Sequence, residues 1–290
     1  MNPRHSRAIR VGRWVTFAAA AMAIAGASVA FGVVERRATT TLSPQATGSA
    51  TAKCRHGRVA LAAGFAAPDF DPTSGGGPAV RFDSMLAGKR SVKTQGFNFS
   101  DTDTRELETF AYCGKRAVPP EVRSKRVRVG PNRPGSVVAK CPPGSQAIAG
   151  GFSTNQGVIT LTSKRRGSRG WKAVGVNING SGGGPARLTA YAYCKAPGPE
   201  IATRSKDTTL SGSYRTSTAK CPKHAKALSG GFDGHVGRAG GQLRAAGALD
   251  SKRAAHGRGW TTSALSVSGP NEATITTYAY CHRRSRHARH

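Results

Sequence analysis

Acidic residues are scarce in this chain: 14 Asp+Glu stand against 44 Lys+Arg in 290 residues, a formal net charge of +30. Paired-carboxylate hydrolysis repeated in each part of the chain is therefore excluded, because residues 122–194 hold no acid at all. The one acidic group, Asp101, Asp103, Glu106 and Glu108, lacks the spacing and the glycine of an EF-hand loop and reads as a solvated turn and strand edge. No C-x-x-C pair occurs, which argues against zinc knuckles and thioredoxin-type redox sites. A G-x-S-x-G elbow and an H-E-x-x-H helix are likewise missing, so no catalytic residues are assigned and a non-enzymatic protein without cofactor or metal is expected. Aromatic residues make up only 7%, and no zinc-finger, helix-turn-helix or RNP-like pattern accompanies the charge, so nucleic acid is expected only as a nonspecific partner.

What is present begins with an address. Arg4, Arg7, Arg10 and Arg13 precede an uninterrupted apolar run from Trp14 to Val34. Residues 1–37 thus read as a signal peptide, with small residues before a cleavage point at Ser28-Val29-Ala30 or Ala25-Gly26-Ala27, or as a single membrane-anchoring helix. Either reading places the remainder of the chain outside the cytosol. Residues 38–52, rich in Thr, Ser and Ala, read as a linker.

Three copies of one unit follow. TAKCRHGRVALAAGF at 51–65, VAKCPPGSQAIAGGF at 138–152 and TAKCPKHAKALSGGF at 218–232 all place a Phe eleven positions after a Cys. ETFAYC at 108–113, TAYAYC at 189–194 and TTYAYC at 276–281 close the copies. A Gly-Trp lies between the two blocks at Trp171 and Trp260, with Val92 at that position in copy one. The expected units are 53–115, 137–195 and 217–281, joined by Pro-rich basic connectors and followed by a basic tail at 282–290. In LTAYAYC, Leu188, Ala190, Ala192 and Cys194 point one way and Thr189, Tyr191 and Tyr193 the other, which is the period of a strand. An all-β protein is predicted: three small disulfide-stapled repeats, as sandwiches or as a threefold β-prism, after an N-terminal hydrophobic helix. Glycines before the repeated Phe are read as sites of a bulge or of close packing under an aromatic ring.

Six cysteines allow two pairings that respect the repeat. One joins the opening and closing Cys of each copy, Cys54 with Cys113, Cys141 with Cys194 and Cys221 with Cys281; the other crosses the connectors and closes a ring. The first is preferred, since units this small need a covalent staple. The combined pattern, carried by Cys141, Pro142, Gly150, Gly151, Phe152, Trp171, Tyr193 and Cys194 and their copy-three equivalents, resembles tandem repeats of uncharacterised exported proteins from high-GC actinobacteria. That resemblance implies extracellular β-modules and no chemistry. Three such copies are also similar, at the level of fold, to the β-prism of vitelline membrane outer layer proteins.

The excess charge sits in copies two and three, with 14 basic residues against 1 acid over 114–194 and 12 against 5 over 195–281. Arg126, Arg128, Lys164, Arg165, Arg166, Arg169, Lys252 and Arg253 are the candidate anion-binding residues, in clusters that attract any polyanion. The expected function is that of a cell-envelope protein binding an anionic wall polymer or an acidic membrane surface. The alternatives are a structural surface protein with no dedicated ligand and, third, a secreted enzyme.

Overall fold

Alternating apolar and polar residues between Gly, Pro and Asn turns leave the backbone little choice but extended strands, and the chain takes them almost throughout. A computed structural model describes residues 32–68, 80–115, 118–155, 157–179, 184–210, 214–239, 242–266 and 273–283. Copy one forms β1 (Val33–Leu42), β2 (Thr47–Lys53), β3 (Arg58–Ala66), β4 (Val80–Leu86), β5 (Ser91–Asn98) and β6 (Arg105–Lys115). Copy two forms β7 (Glu121–Val129), β8 (Pro134–Lys140), β9 (Gln146–Thr154), β10 (Val158–Arg166), β11 (Gly170–Asn177) and β12 (Ala186–Lys195). Copy three forms β13 (Ile201–Leu210), β14 (Arg215–Lys220), β15 (Ala225–Asp233), β18 (Ala246–Arg253), β19 (Gly259–Ser266) and β20 (Ala273–Arg283). A short hairpin of β16 (Gly237–Ala239) and β17 (Gln242–Arg244) is inserted between β15 and β18. A 3-10 turn at Ala255–Gly257 is the one helical element among the described residues.

The main strands make three six-stranded antiparallel sheets, ordered β1-β6-β3-β18-β19-β14, β13-β20-β15-β10-β11-β8 and β2-β5-β4-β9-β12-β7. Every sheet thus joins three strands of one copy to three of a neighbour, and the copies interlock in a ring. The seams lie at equivalent places: Ser84 opposite Phe152, Ser163 opposite Phe232 and Ser251 opposite Phe65. Phe65, Phe152 and Phe232 meet edge to face, with centroids 5.9, 6.1 and 6.1 Å apart, and mark a threefold pseudo-axis. Of the two predicted architectures, this is the prism. The strands follow one another around the axis, and the β1/β2, β7/β8 and β13/β14 connections turn its corners. The described turns between the main strands consequently lie at two ends. One, the disulfide end, holds the β2–β3, β4–β5 and β6–β7 connections and their equivalents.

The disulfides are Cys54–Cys113, Cys141–Cys194 and Cys221–Cys281, within each copy as preferred. Each ties a residue following one sheet's edge strand to a strand of the adjacent sheet. The body closes into a ring as well, through strand pairing rather than through bridges across the connectors.

The copies begin earlier than their sequence suggests. Residues 38–52, expected as a linker, lie mostly in β1 and β2, and the presumed connectors contain β7 and β13. All four are edge strands. Their exposed faces carry Thr, Ser and basic residues instead of an apolar stripe, which hid the strand period and also blunts edge-to-edge association. The predicted N-terminal hydrophobic helix lies outside the described residues, except that Gly32 precedes β1 and Val33 and Val34 already pair with Gly114 and Cys113. Residues 284–290 of the basic tail also lie outside them.

Candidate functional site

The repeated signature is spent on the interior. Trp171 and Trp260 are 1% exposed, and their rings occupy the space where a Cβ on Gly150 or Gly230 would stand. Each indole N–H donates to a seam serine at 2.9 Å, Trp171 to Ser163 and Trp260 to Ser251. Copy one has the complementary exchange. Val92 faces Ala52 as Trp171 faces Ala139 and Trp260 faces Ala219, and Ala63 replaces the glycine beneath it. The seam serine is retained there as Ser84, and its buried hydroxyl has no hydrogen-bond partner.

The tyrosine preceding each closing Cys latches one copy to the next. Tyr193 accepts a hydrogen bond from the Leu86 amide at 2.8 Å, Tyr280 from that of Arg165 at 2.7 Å and Tyr112 from that of Arg253 at 2.7 Å. Each amide belongs to the neighbouring copy, on a strand that diverges at the seam and has lost its ladder partner. Burial pushes all three phenols well above the ordinary tyrosine range, so they stay protonated. Gly64 and Gly151 lie directly under Tyr112 and Tyr193, where a Cβ would strike the hydroxyl. The cavity on the axis, lined by the Phe triad, the glycines and the seam serines, measures about 20 Å³. That is room for one water, not for a substrate.

The predicted anion-binding residues do not form one site. Arg126 and Arg128 project from the exposed edge strand β7. Lys164 is engaged by Asp233 and lies 5.2 Å from the Tyr278 ring centroid. Burial would lower its pKa, yet the Asp233 contact holds it above the ordinary lysine value. Arg165 donates to Gln146 at 3.1 Å and to the Ser168 carbonyl at 3.0 Å, and burial lowers its pKa. Lys252 sits 3.8 Å from Asp250 and over the Phe110 ring, and Arg253 reaches the Val33 carbonyl. Lys164, Lys252 and Arg253 therefore reach across the seams, while the Arg165 side chain is held inside copy two. Arg166 and Arg169 are exposed in the β10–β11 turn and line, with Lys140, a surface recess of about 420 Å³. The acidic group is also internally compensated, since Arg105 bonds Asp103 and Arg37 bonds Glu106 and Glu108.

Basic residues far apart in the sequence are brought to one end of the body by the strand register. Lys53, Lys140 and Lys220, the lysine before the opening Cys of each copy, end β2, β8 and β14 at the disulfide end. They pair with Ser91, Gly170 and Gly259, the residues after Arg90, Arg169 and Arg258. The arginine carbonyls accept from the amides of Cys54, Cys141 and Cys221 at 2.7, 2.8 and 2.8 Å. Two guanidinium groups turn back on the same cysteines, Arg90 to the Cys54 carbonyl at 3.1 Å and Arg169 to the Cys141 carbonyl at 3.0 Å. All six side chains belong to exposed residues. A threefold set of Lys-Arg pairs thus surrounds the axis, its backbone fixed by the disulfides. The repeated Ala-Lys-Cys triplet was its signal in the sequence.

Among the described residues, no group of three or more His, Cys, Asp or Glu side chains could hold a metal ion, and no helix is long and apolar enough to cross a membrane. The three disulfides are those of an oxidising compartment. No protein-family model matches the chain, and no curated protein matches it.

Proposed function

We propose that the chain is an exported cell-envelope protein, delivered by its N-terminal apolar segment as a cleaved signal or an anchor. It binds anionic surface polymers without catalysis, through the cations of its disulfide end. The observation that carries this reading is the threefold repetition of exposed Lys-Arg pairs on a backbone held by disulfides. Fixed cations concentrate a polyanion and release its counterions, so binding should fall steeply with salt. A second reading, a structural surface protein with no dedicated ligand, is favoured by the use of the Phe, Trp and Tyr signature for closure alone. The two separate in a salt titration of the full-length oxidised protein against anionic wall polymer, duplex DNA and a neutral glycan. Saturable binding to the wall polymer that outlasts binding to DNA supports the first. Equal loss of both below physiological salt leaves the second.

A further inference from the structure

We propose that the disulfide end is a membrane-docking surface, and that its partner is an acidic lipid leaflet. The inference rests on the polyanion-binding reading and names the surface to which that reading applies. Strand direction supplies the first argument. β1 starts at this end, with Val34 opposite Cys113, and β20 finishes there, with Arg283 opposite Ala225 just after the Cys221 turn. The described chain therefore both begins, at Gly32 and β1, and ends, at Arg283 of β20, at the end where the six cations lie.

Exposed apolar side chains supply the second. Four large hydrophobic residues stand out among the described residues, namely Val34 at 37%, Val118 at 73%, Val122 at 46% and Ile178 at 44%. Three of them, Val34, Val118 and Val122, are at the disulfide end, at the second position of β1, in the connection before β7 and at the second position of β7. Single exposed valines are ordinary, but apolar groups gathered among cations on one blunt end are the composition of an interfacial anchor. A soluble polyanion would use the cations and leave the valines in water; a leaflet uses both. The carboxylates described at this end, Glu35, Glu121 and Glu200, do little against it, since Glu35 lies beside Arg253 and Glu121 is paired with Arg123. The opposite end mixes signs, Arg133 and Arg187 with Asp101 and Asp103. The recess of about 420 Å³ beside Lys140, Arg166 and Arg169 is large enough to seat a phosphate-bearing headgroup.

The test is lysine acetylation of the full-length protein, read by mass spectrometry, on phosphatidylglycerol vesicles, on phosphatidylcholine vesicles and with soluble wall polymer. The apolar segment contributes to both kinds of vesicle, so their difference reports the folded body. Lys53, Lys140 and Lys220 should lose about tenfold in reactivity on the anionic vesicles alone, while Lys125 and Lys206 on the prism walls stay reactive. K53Q/K140Q/K220Q should weaken binding to anionic vesicles by about a hundredfold. V118S/V122S should weaken it severalfold and leave affinity for the wall polymer unchanged. Protection by the polymer but not by vesicles overturns the lipid assignment and keeps the broader reading. Protection of none of the three lysines by either partner overturns both, and protection of Lys125 and Lys206 on anionic vesicles places docking on the walls and overturns the proposal.

Discussion

Tyr280 carries more of the fold than its place in a short motif suggests. Its hydroxyl is the partner of an amide in another copy, and its ring packs 5.6 Å from Trp171. Tyr280→Phe should leave the Arg165 amide buried and unpaired, at a cost of about 1–3 kcal/mol in urea unfolding. Tyr191→Phe, whose half-buried hydroxyl meets only Ser153, should cost less. The copy-one exchange makes a sharper test. Val92→Trp alone places an indole against the Ala63 methyl, whereas Val92→Trp with Ala63→Gly recreates the arrangement at Trp171 and gives Ser84 a donor. The double variant should be more stable than the sum of its single changes by more than 1 kcal/mol, the scale of coupling between touching residues. Asp233 gives the pH dependence. Burial would raise its pKa, but Lys164 and Thr162 hold it below the ordinary 3.8. A carboxyl depressed by folding contributes stability that is complete above its unfolded pKa and lost as pH falls through the lower folded value. Asp233→Asn should therefore flatten the acid limb of a stability profile below pH 3.8. An unchanged limb would deny the Lys164 contact that role.

At the scale of elements, the disulfides close loops of 59, 53 and 60 residues, and each contributes roughly 4 kcal/mol by restricting the unfolded chain. Cys141→Ala with Cys194→Ala should lower the unfolding free energy by about 2–5 kcal/mol. The same pair should matter beyond stability, because the Cys141 amide and carbonyl hold Arg169. Strands that bury a face were legible in the sequence. Leu188 to Cys194 alternate as expected, and the Gly-Gly-Phe and Gly-Trp signals proved to be packing sites, with register shifts just before the glycines in β9 and β15. Edge strands were not legible, because β7 exposes nearly its whole length and a strand without a buried stripe has the composition of a linker. The cation ring was hidden for another reason. Its members are paired by register between neighbouring strands of one sheet that are distant in sequence, so Lys53 meets the Arg90 turn in space and not in the chain.

For the molecule as a whole, closure follows from the seams. No copy owns a complete sheet, so a single excised copy would expose β9 or its equivalent along the line where Phe152 meets Ser84. Such a fragment should fail to fold, while the full chain unfolds as one body. Placing every β2–β3, β4–β5 and β6–β7 turn and its equivalents at one end also gathers the lysines and arginines there, so the functional surface is a consequence of the same threefold plan. Hydrogen exchange of the full oxidised chain tests the interlocked body most directly. The central strands β3, β9 and β15, together with the amides of Leu86, Arg165 and Arg253, should exchange last and with one common free energy of opening. Three separate protection levels, one for each copy, or rapid exchange of the tyrosine-bound amides, would contradict a single interlocked body.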